Sequence, residues 1–263
     1  MSHPSSCSPL SLQTLVDRLR AAGCVFAEDE AALLLSAARS SEELAEMMDR
    51  RIGGRPLEYI VGWAEFRGLR IAVELGVFVP RKRTEFLVDQ AVSVSQAGAV
   101  VVDLGCGAGA IGAAIAAAAT GVELYAADID PAAVRCARRN LLGVGQVFQG
   151  DLYHPLPTAL RGRVDVLAVN APYVPTDAIA LMPPEARLYE ARVALDGGAD
   201  GMDIQRRVAA GAPQWLAPGG HLLIETSERQ APHTADAVSA ASLLPRVARD
   251  EELDATVVIG RWG

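Results

Sequence analysis

The chain has 263 residues, 51% hydrophobic and 21% charged, with a formal net charge of −8. That composition fits a folded globular enzyme and argues against broad binding to a phosphate backbone, which needs clustered Lys and Arg. The four cysteines (Cys7, Cys24, Cys106, Cys136) and four histidines (His3, His154, His221, His233) stand far apart, so neither a disulfide framework nor a metal site is expected.

Residues 1–9 are polar and lack the basic start and apolar run of a secretory signal. The longest apolar stretch, residues 109–119, is too short to span a bilayer, so a cytoplasmic protein with no membrane association is expected. Residues 10–22 place Leu12, Leu15, Val16 and Leu19 on one helical face, with Gly23 as the stop. Residues 28–39 repeat the pattern with Ala31, Leu34, Leu35 and Ala38. Ser41-Glu42-Glu43 opens a third helix with acids in its first turn, and Gly53-Gly54 ends it. Residues 1–55 therefore read as a small helical bundle.

Over residues 58–79 the apolar positions Ile60, Trp63, Phe66, Leu69, Ile71, Val73, Val77 and Phe78 are separated by Gly62, Gly68 and Gly76. This predicts short strands, with residues 56–82 as a β-hairpin linker and Trp63 and Phe66 in the core. Arg81 and Arg83 fit either a substrate carboxylate or a solvated surface. From Val100 onward strands (100–104, 123–129, 147–150, 164–170, 221–226) alternate with helices (110–119, 131–141, 202–216), as in a doubly wound α/β sheet. Strands 246–251 and 255–259 leave no room for a helix between them and must pair antiparallel. The expected fold is α/β, a seven-stranded Rossmann-like sheet over residues 83–263 ending in an antiparallel hairpin, with the helical bundle in front.

Strand 100–104 runs into Gly105-Cys106-Gly107-Ala108-Gly109, where glycine lets backbone lie directly against a ligand. Asp128 and Asp130 follow the next strand, the place of a carboxylate that binds ribose hydroxyls. Gly107-Ala108-Gly109-Ala110-Ile111-Gly112 also satisfies the dinucleotide pattern, so the glycines alone leave a nicotinamide cofactor open. Asp103, before the first glycine, suits the cationic amino acid end of S-adenosyl-L-methionine, and Asp151 suits an adenine amino group. A pyrophosphate gains nothing from either acid, and the methyl donor is favoured.

Strand 164–170 ends in Asn170-Ala171-Pro172-Tyr173, at the edge of the sheet where ligands of open α/β folds bind. An amide or aromatic amine nitrogen is a poor nucleophile because its lone pair is delocalised. The Asn170 side-chain oxygen and the Ala171 carbonyl can accept its two N–H hydrogens, aim the lone pair and stabilise charge developing on nitrogen. Pro172 holds Ala171 extended, and Tyr173 offers a flat face. Taken alone the four residues would be an ordinary loop; beside a cofactor turn they read as an acceptor clamp.

Together these motifs resemble the protein-(glutamine-N5) methyltransferases that modify the Gly-Gly-Gln loop of peptide chain release factors. The resemblance extends to Arg55-Pro56-Leu57-Glu58-Tyr59-Ile60, Glu65-Phe66, Gly68-Leu69, Pro80-Arg81, Thr84-Glu85, Pro184-Glu185, Tyr189-Glu190, Ala194-Leu195-Asp196-Gly197-Gly198 and Asp200-Gly201, over about residues 55–230. It implies a class I methyltransferase fold and S-adenosyl-L-methionine as donor. It implies that Gly105, Cys106, Gly107, Ala108 and Gly109 hold the methionine end, Asp128 the ribose, Asp151 and Leu152 the adenine, and Asn170 to Tyr173 the glutamine. It makes Glu85 a weaker candidate and gives the N-terminal bundle a part in gripping the release factor. The chain departs from the family with Ala171 for the first proline of Asn-Pro-Pro-Tyr, Thr226-Ser227 for Ile-Gly after Glu225, and Ala191 for a proline. Methylation of an exocyclic amine of a nucleic-acid base, and a donor-binding protein without catalysis, are the alternatives.

Overall fold

The computed structural model describes residues 11–263, so expectations for residues 1–10, including His3 and Cys7, lie outside the described residues. The chain divides into two compact units, Met1–Gly62 and Trp63–Gly263.

In the first unit α1 (Leu12–Ala21), α2 (Ala27–Ala37) and α3 (Ser41–Ile52) form where the apolar period places them. Ser11 Oγ accepts the N–H of Thr14 and Ser40 Oγ that of Glu43, each at 3.2 Å, satisfying amides that a helix start leaves orphaned. Leu15, Leu19, Leu34 and Met48 are the dry centre. A largely buried ion pair, Arg51 Nε to Glu30 Oε2 at 2.5 Å, joins α3 to α2. Leu12 and Leu35, expected on inner faces, are 48% and 46% exposed, because so few helices cannot cover the full width of each stripe. The strand expected from residue 58 is instead helix α4 (Leu57–Val61), with Ile60 in the bundle core. Pro56 sets up its start and Gly62, left-handed at φ 84°, ends it, so the first unit runs to Gly62 rather than residue 55.

The second unit opens with β1 (Trp63–Phe66) and β2 (Leu69–Ala72), an antiparallel pair turning through Arg67 and Gly68, both at positive φ. Phe66 enters the core as expected; Trp63 is half-buried under the Arg70 guanidinium, 4.2 Å from its ring centroid. Then follow α5 (Glu85–Val94), β3 (Val100–Leu104), α6 (Ala110–Ala118), β4 (Glu123–Asp128), α7 (Pro131–Asn140), β5 (Gly145–Gln149), β6 (Val164–Val169), α8 (Pro184–Tyr189), α9 (Asp203–Gly211), β7 (Leu216–Thr226), α10 (Ala231–Ala240), β8 (Leu244–Asp250) and β9 (Ala255–Arg261). The seven-stranded sheet has the order β5-β4-β3-β6-β7-β9-β8. Strands β3 to β7 pair in parallel, and β8–β9 is the expected antiparallel hairpin, with β9 against β7.

Alternation along the strands divides the core into two layers. Val101, Ala126, Val166 and Leu223 meet α5, α6 and α7, whereas Val102, Leu104, Val169 and Ile224 meet Val208, Ala209 and Val238 of α9 and α10. Helices α5 and α10 were not anticipated: the first carries three β-branched valines and the second is dominated by Ala, so neither shows a strong helical period. The helix expected over 202–216 stops at Gly211, followed by a 3-10 turn, Ala212–Gln214, that contains Pro213. The long loop expected after β6 contains α8 and two 3-10 turns, Thr176–Leu181 and Arg192–Ala194.

Candidate active site

Sheet register brings the site together. Leu104 pairs with Ala127 on one side and Val169 on the other, and Val169 pairs with Ile224. The next residues, Gly105, Asp128, Asn170 and Glu225, therefore leave four neighbouring strands at one level. Successive connections from β3 and β6 go to opposite sides of the sheet, and a crevice opens at the carboxyl ends of these strands. One cavity is lined there by Gly105, Cys106, Gly107, Ala108, Asp128, Asp151, Leu152, Asn170, Ala171, Pro172 and Tyr173.

Its floor is bare backbone. Gly105, Gly107 and Gly109 have φ of 72°, 54° and 80°, and a side-chain carbon built on Gly105 or Gly107 would point into open space. Asp128 fixes this loop from β4: Oδ2 accepts the N–H of Gly107 at 2.8 Å and Oδ1 that of Asp130 at 2.9 Å. Burial raises its pKa, and these two amides oppose the rise. Each oxygen keeps a lone pair for a ligand hydroxyl. Asp151 faces the cavity but is paired with Arg207 of α9, a wall residue the sequence did not single out. Leu152 adopts φ 48°, a left-handed conformation unusual for a leucine, and lines the cavity.

Two predicted residues are not on the wall. Asp103 is fully buried, with Oδ2 accepting the N–H of Gly112 at 2.9 Å. It shares the strand face of Val101, directed at α6, so the expectation that it meets the donor's amino group is not supported by its placement. Burial lifts its pKa from 3.8 to about 7, the Gly112 amide opposes the rise, and Asp128 adds to it. A carboxyl that holds its proton more tightly when folded contributes stability that is lost as pH rises from about 4 to 7, here on the order of 4 kcal/mol. Asp103→Asn is accordingly expected to gain melting temperature over the parent at pH 8 and much less at pH 5. An equal effect at both values would show that Asp103 does not titrate in this range. Glu85, the second residue, accepts the N–H of Arg67 at 3.1 Å and fastens the β1–β2 turn to α5.

On the acceptor side Asn170 Nδ2 donates to Thr84 Oγ1 at 3.2 Å. The Arg83 guanidinium donates to the Tyr173 hydroxyl, and its Nε lies 3.4 Å from Glu225 Oε1, so Arg83, although exposed, is paired at the cavity wall. Arg81 pairs with buried Glu190, whose Oε1 also accepts the N–H of Val79. The loop after Tyr173 is fastened by Gln230 Nε2, which donates to the Tyr173 carbonyl at 2.9 Å. Gly197 and Gly201 lie so close that a side-chain carbon would fall 2.8 Å from the Pro172 carbonyl oxygen and 2.3 Å from that of Tyr173. The glycine run 197–201 is therefore needed for backbone to lie on backbone behind the Asn-Ala-Pro-Tyr loop. Thr84 and Gln230 gave no warning of this arrangement, because they meet Asn170 and Tyr173 only in space.

Among the described residues no group of three or more His, Cys, Asp and Glu could hold a metal, and no helix is long and apolar enough to cross a membrane. A family model described as "Methyltransferase small domain" matches residues 69–199. A release factor glutamine methyltransferase of Gloeobacter violaceus is 42% identical over 199 residues, covering 73% of this chain and 68% of that protein. A protein of the same description from Cereibacter sphaeroides is 34% identical over 252 residues, covering 89% and 90%. Among solved structures, a methyltransferase from Pyrococcus furiosus aligns with a TM-score of 0.57 at 16% identity, over 75% of this chain and 90% of that one. At that identity the likeness concerns the fold, which is that of the class I methyltransferases, and the donor of this fold and family is S-adenosyl-L-methionine.

Proposed function

The chain belongs to the release factor glutamine methyltransferases, and on that premise we propose that it methylates N5 of a glutamine side chain in a peptide chain release factor, in the Gly-Gly-Gln loop. The observation that carries the reading is the shared level of Gly105, Asp128 and Asn170 around one crevice, which sets a donor-shaped floor beside an amide-binding loop.

The residues present fit S-adenosyl-L-methionine. Backbone at Gly105 to Gly109 would hold its methionine end, the Asp128 carboxylate its ribose diol, and Asp151 and Leu152 would flank its adenine. When bound, the donor supplies an electrophilic methyl group on a cationic sulfur. The acceptor glutamine would give its two N–H hydrogens to the Asn170 side-chain oxygen and the Ala171 carbonyl, turning its nitrogen lone pair across the crevice. Both acceptors strengthen their hold as positive charge grows on that nitrogen, the condition under which a contact lowers a barrier rather than only tightening binding. Tyr173 would pack its ring on the planar amide, held by Arg83 at its hydroxyl and by Gln230 at its carbonyl. No strong base is required, because the proton is acidic once the N–C bond has formed. Ala171 keeps the carbonyl that this position uses and is itself buried, which limits the freedom gained by losing a proline.

The helical unit of residues 1–62 is proposed to contribute to recognition of the release factor, and the cytoplasm is the compartment this activity requires. The experiment that tests the function is incubation of the purified chain with isotopically labelled donor and a bacterial release factor, intact or with Gln→Ala in its Gly-Gly-Gln loop. Label is expected only on the intact protein. Equal labelling of both would overturn the glutamine assignment, and labelling of DNA or RNA instead would favour a nucleic-acid base as acceptor.

A further inference from the structure

One buried amide holds the Asn170-Ala171-Pro172-Tyr173 loop from behind. Gln230, 6% exposed, stands immediately before α10. Its Nε2 donates to the Tyr173 carbonyl at 2.9 Å and to the Asp200 carbonyl at 3.4 Å, which ties the acceptor loop to the glycine run 197–201. Its Oε1 accepts from the Ser227 hydroxyl at 2.6 Å, and the same Ser227 oxygen accepts the Gln230 backbone N–H at 3.3 Å. A side-chain carbon on Gly201 would fall 2.6 Å from Gln230 Nε2, so glycine is what leaves room for that nitrogen. We infer that Ser227 and Gln230 are positioning residues for methyl transfer: the Ser227 hydroxyl sets the Gln230 amide, and that amide holds the Tyr173 carbonyl so that Ala171 keeps its own carbonyl aimed at the acceptor. This rests on the proposed role of the Ala171 carbonyl as one half of the acceptor clamp.

The need arises at Ala171. The Pro172 ring fixes its own φ and restricts ψ of the residue before it, whereas φ of Ala171 is left free. Rotation there swings the Ala171 carbonyl, and a hydrogen bond weakens steeply once its angle is lost. Two side-chain contacts bracket the residue: Asn170 Nδ2 on Thr84 Oγ1 before it, and Gln230 Nε2 on the Tyr173 carbonyl after it. Backbone pairing begins one residue further on, where the Val174 N–H meets the Leu195 carbonyl at 3.2 Å and the Val174 carbonyl accepts from Gly197 at 2.8 Å. Donor and acceptor counts fix the direction of the Gln230 amide. The carbonyls of Tyr173 and Asp200 only accept, so the NH2 must face them; turned over, the amide would set three oxygens together. Its oxygen then needs a donor, and Ser227 supplies one from the same short turn, closed by the Gln230 N–H on the Ser227 carbonyl at 3.0 Å. Oxygen and nitrogen of the buried amide are both satisfied, the condition under which such a group rigidifies its surroundings.

Ser227→Ala, Gln230→Met, their double, Ala171→Pro and the Ser227→Ala/Ala171→Pro double would be compared with the parent by kcat and KM on a release factor and by calorimetric affinity for S-adenosyl-L-homocysteine. Gln230→Met, which keeps the volume and loses the donors, is expected to lower kcat by at least about tenfold with that affinity nearly unchanged, the scale of a small misplacement of a reacting group. Ser227→Ala should lower kcat about threefold to tenfold, the scale of one hydrogen bond. Because Ser227 acts through Gln230, their double should be no slower than Gln230→Met alone. With φ of residue 171 fixed by a ring, Ser227→Ala should lower kcat by less than about twofold. Parental kcat in Gln230→Met, losses that multiply fully in the first double, or an undiminished effect of Ser227→Ala beside Ala171→Pro would each overturn the inference. A loss of S-adenosyl-L-homocysteine affinity as large as the loss of kcat would do the same, since it would make the pair a support of the whole fold. Should Ala171→Pro not fold, the Ser227→Ala/Gln230→Met cycle decides; should Gln230→Met not fold, the Ala171→Pro cycle does. A parent that leaves intact release factor unlabelled would sink the proposed function and this inference together, whereas an active parent without these couplings sinks the inference alone.

Discussion

Asn170→Ala is expected to lower turnover by about a hundredfold or more while leaving donor affinity close to that of the parent, since removal of one oriented polar contact to a developing charge has that effect elsewhere. Asn170 follows the last residue of β6, and its nitrogen is engaged by Thr84, which leaves the oxygen as its free acceptor capacity towards the cavity. Alanine removes that acceptor and leaves the Ala171 carbonyl to hold one N–H alone. The substrate amide can then rotate, and its lone pair loses its aim. KM for the release factor should change less than kcat, because most of a protein–protein contact lies outside two hydrogen bonds. Single-turnover measurements with saturating donor would separate the two. Turnover like the parent's would remove Asn170 from the mechanism.

Asp128→Ala should do the reverse and weaken donor binding by roughly tenfold to a hundredfold, the range of one to two charge-assisted hydrogen bonds. Two losses combine. The carboxylate that would take the ribose hydroxyls is gone, and so is the acceptor that holds the N–H of Gly107 and that of Asp130. A loop of three left-handed glycines depends on such an anchor, since flexible residues lose the most entropy on ordering. Asp128→Asn, with one acceptor oxygen left, should fall between the two. Calorimetric titration with S-adenosyl-L-homocysteine reads the effect directly. Unchanged affinity in Asp128→Ala would assign the ribose to another residue.

Much of the fold could be read along the chain because it depends on local periodicity. The strand into Gly105-Cys106-Gly107-Ala108-Gly109, the acid after β4 and the crowded hairpin at the end each carry their signal within a few residues. Helix α4 was misread because Ile60 and its neighbours look alike as a short strand or one helical turn; the bundle core, by taking Ile60, settles it. Asp103 was misplaced for a related reason. Its distance in sequence from the glycines is right for a ligand contact, but strand alternation turns it to the α6 side, where Gly112 takes it.

The amino-acid sequence by itself determined the order of the strands, the glycine turn at Gly105 to Gly109, and an asparagine at the end of β6. Those features are set by residue type and short spacing: glycine where φ is positive, alternation where a strand is buried, an amide where a strand ends. Only the tertiary structure decided what stands behind Asn170-Ala171-Pro172-Tyr173. Thr84 lies 86 residues before Asn170, Arg83 90 before Tyr173, and Gln230 57 after Tyr173. Their meeting depends on sheet register and on β6 lying between β3 and β7, and no local pattern encodes that. Hydrogen bonds between strand ends are chosen by the fold, so the residues that hold the acceptor loop in place became visible only once the strands were side by side.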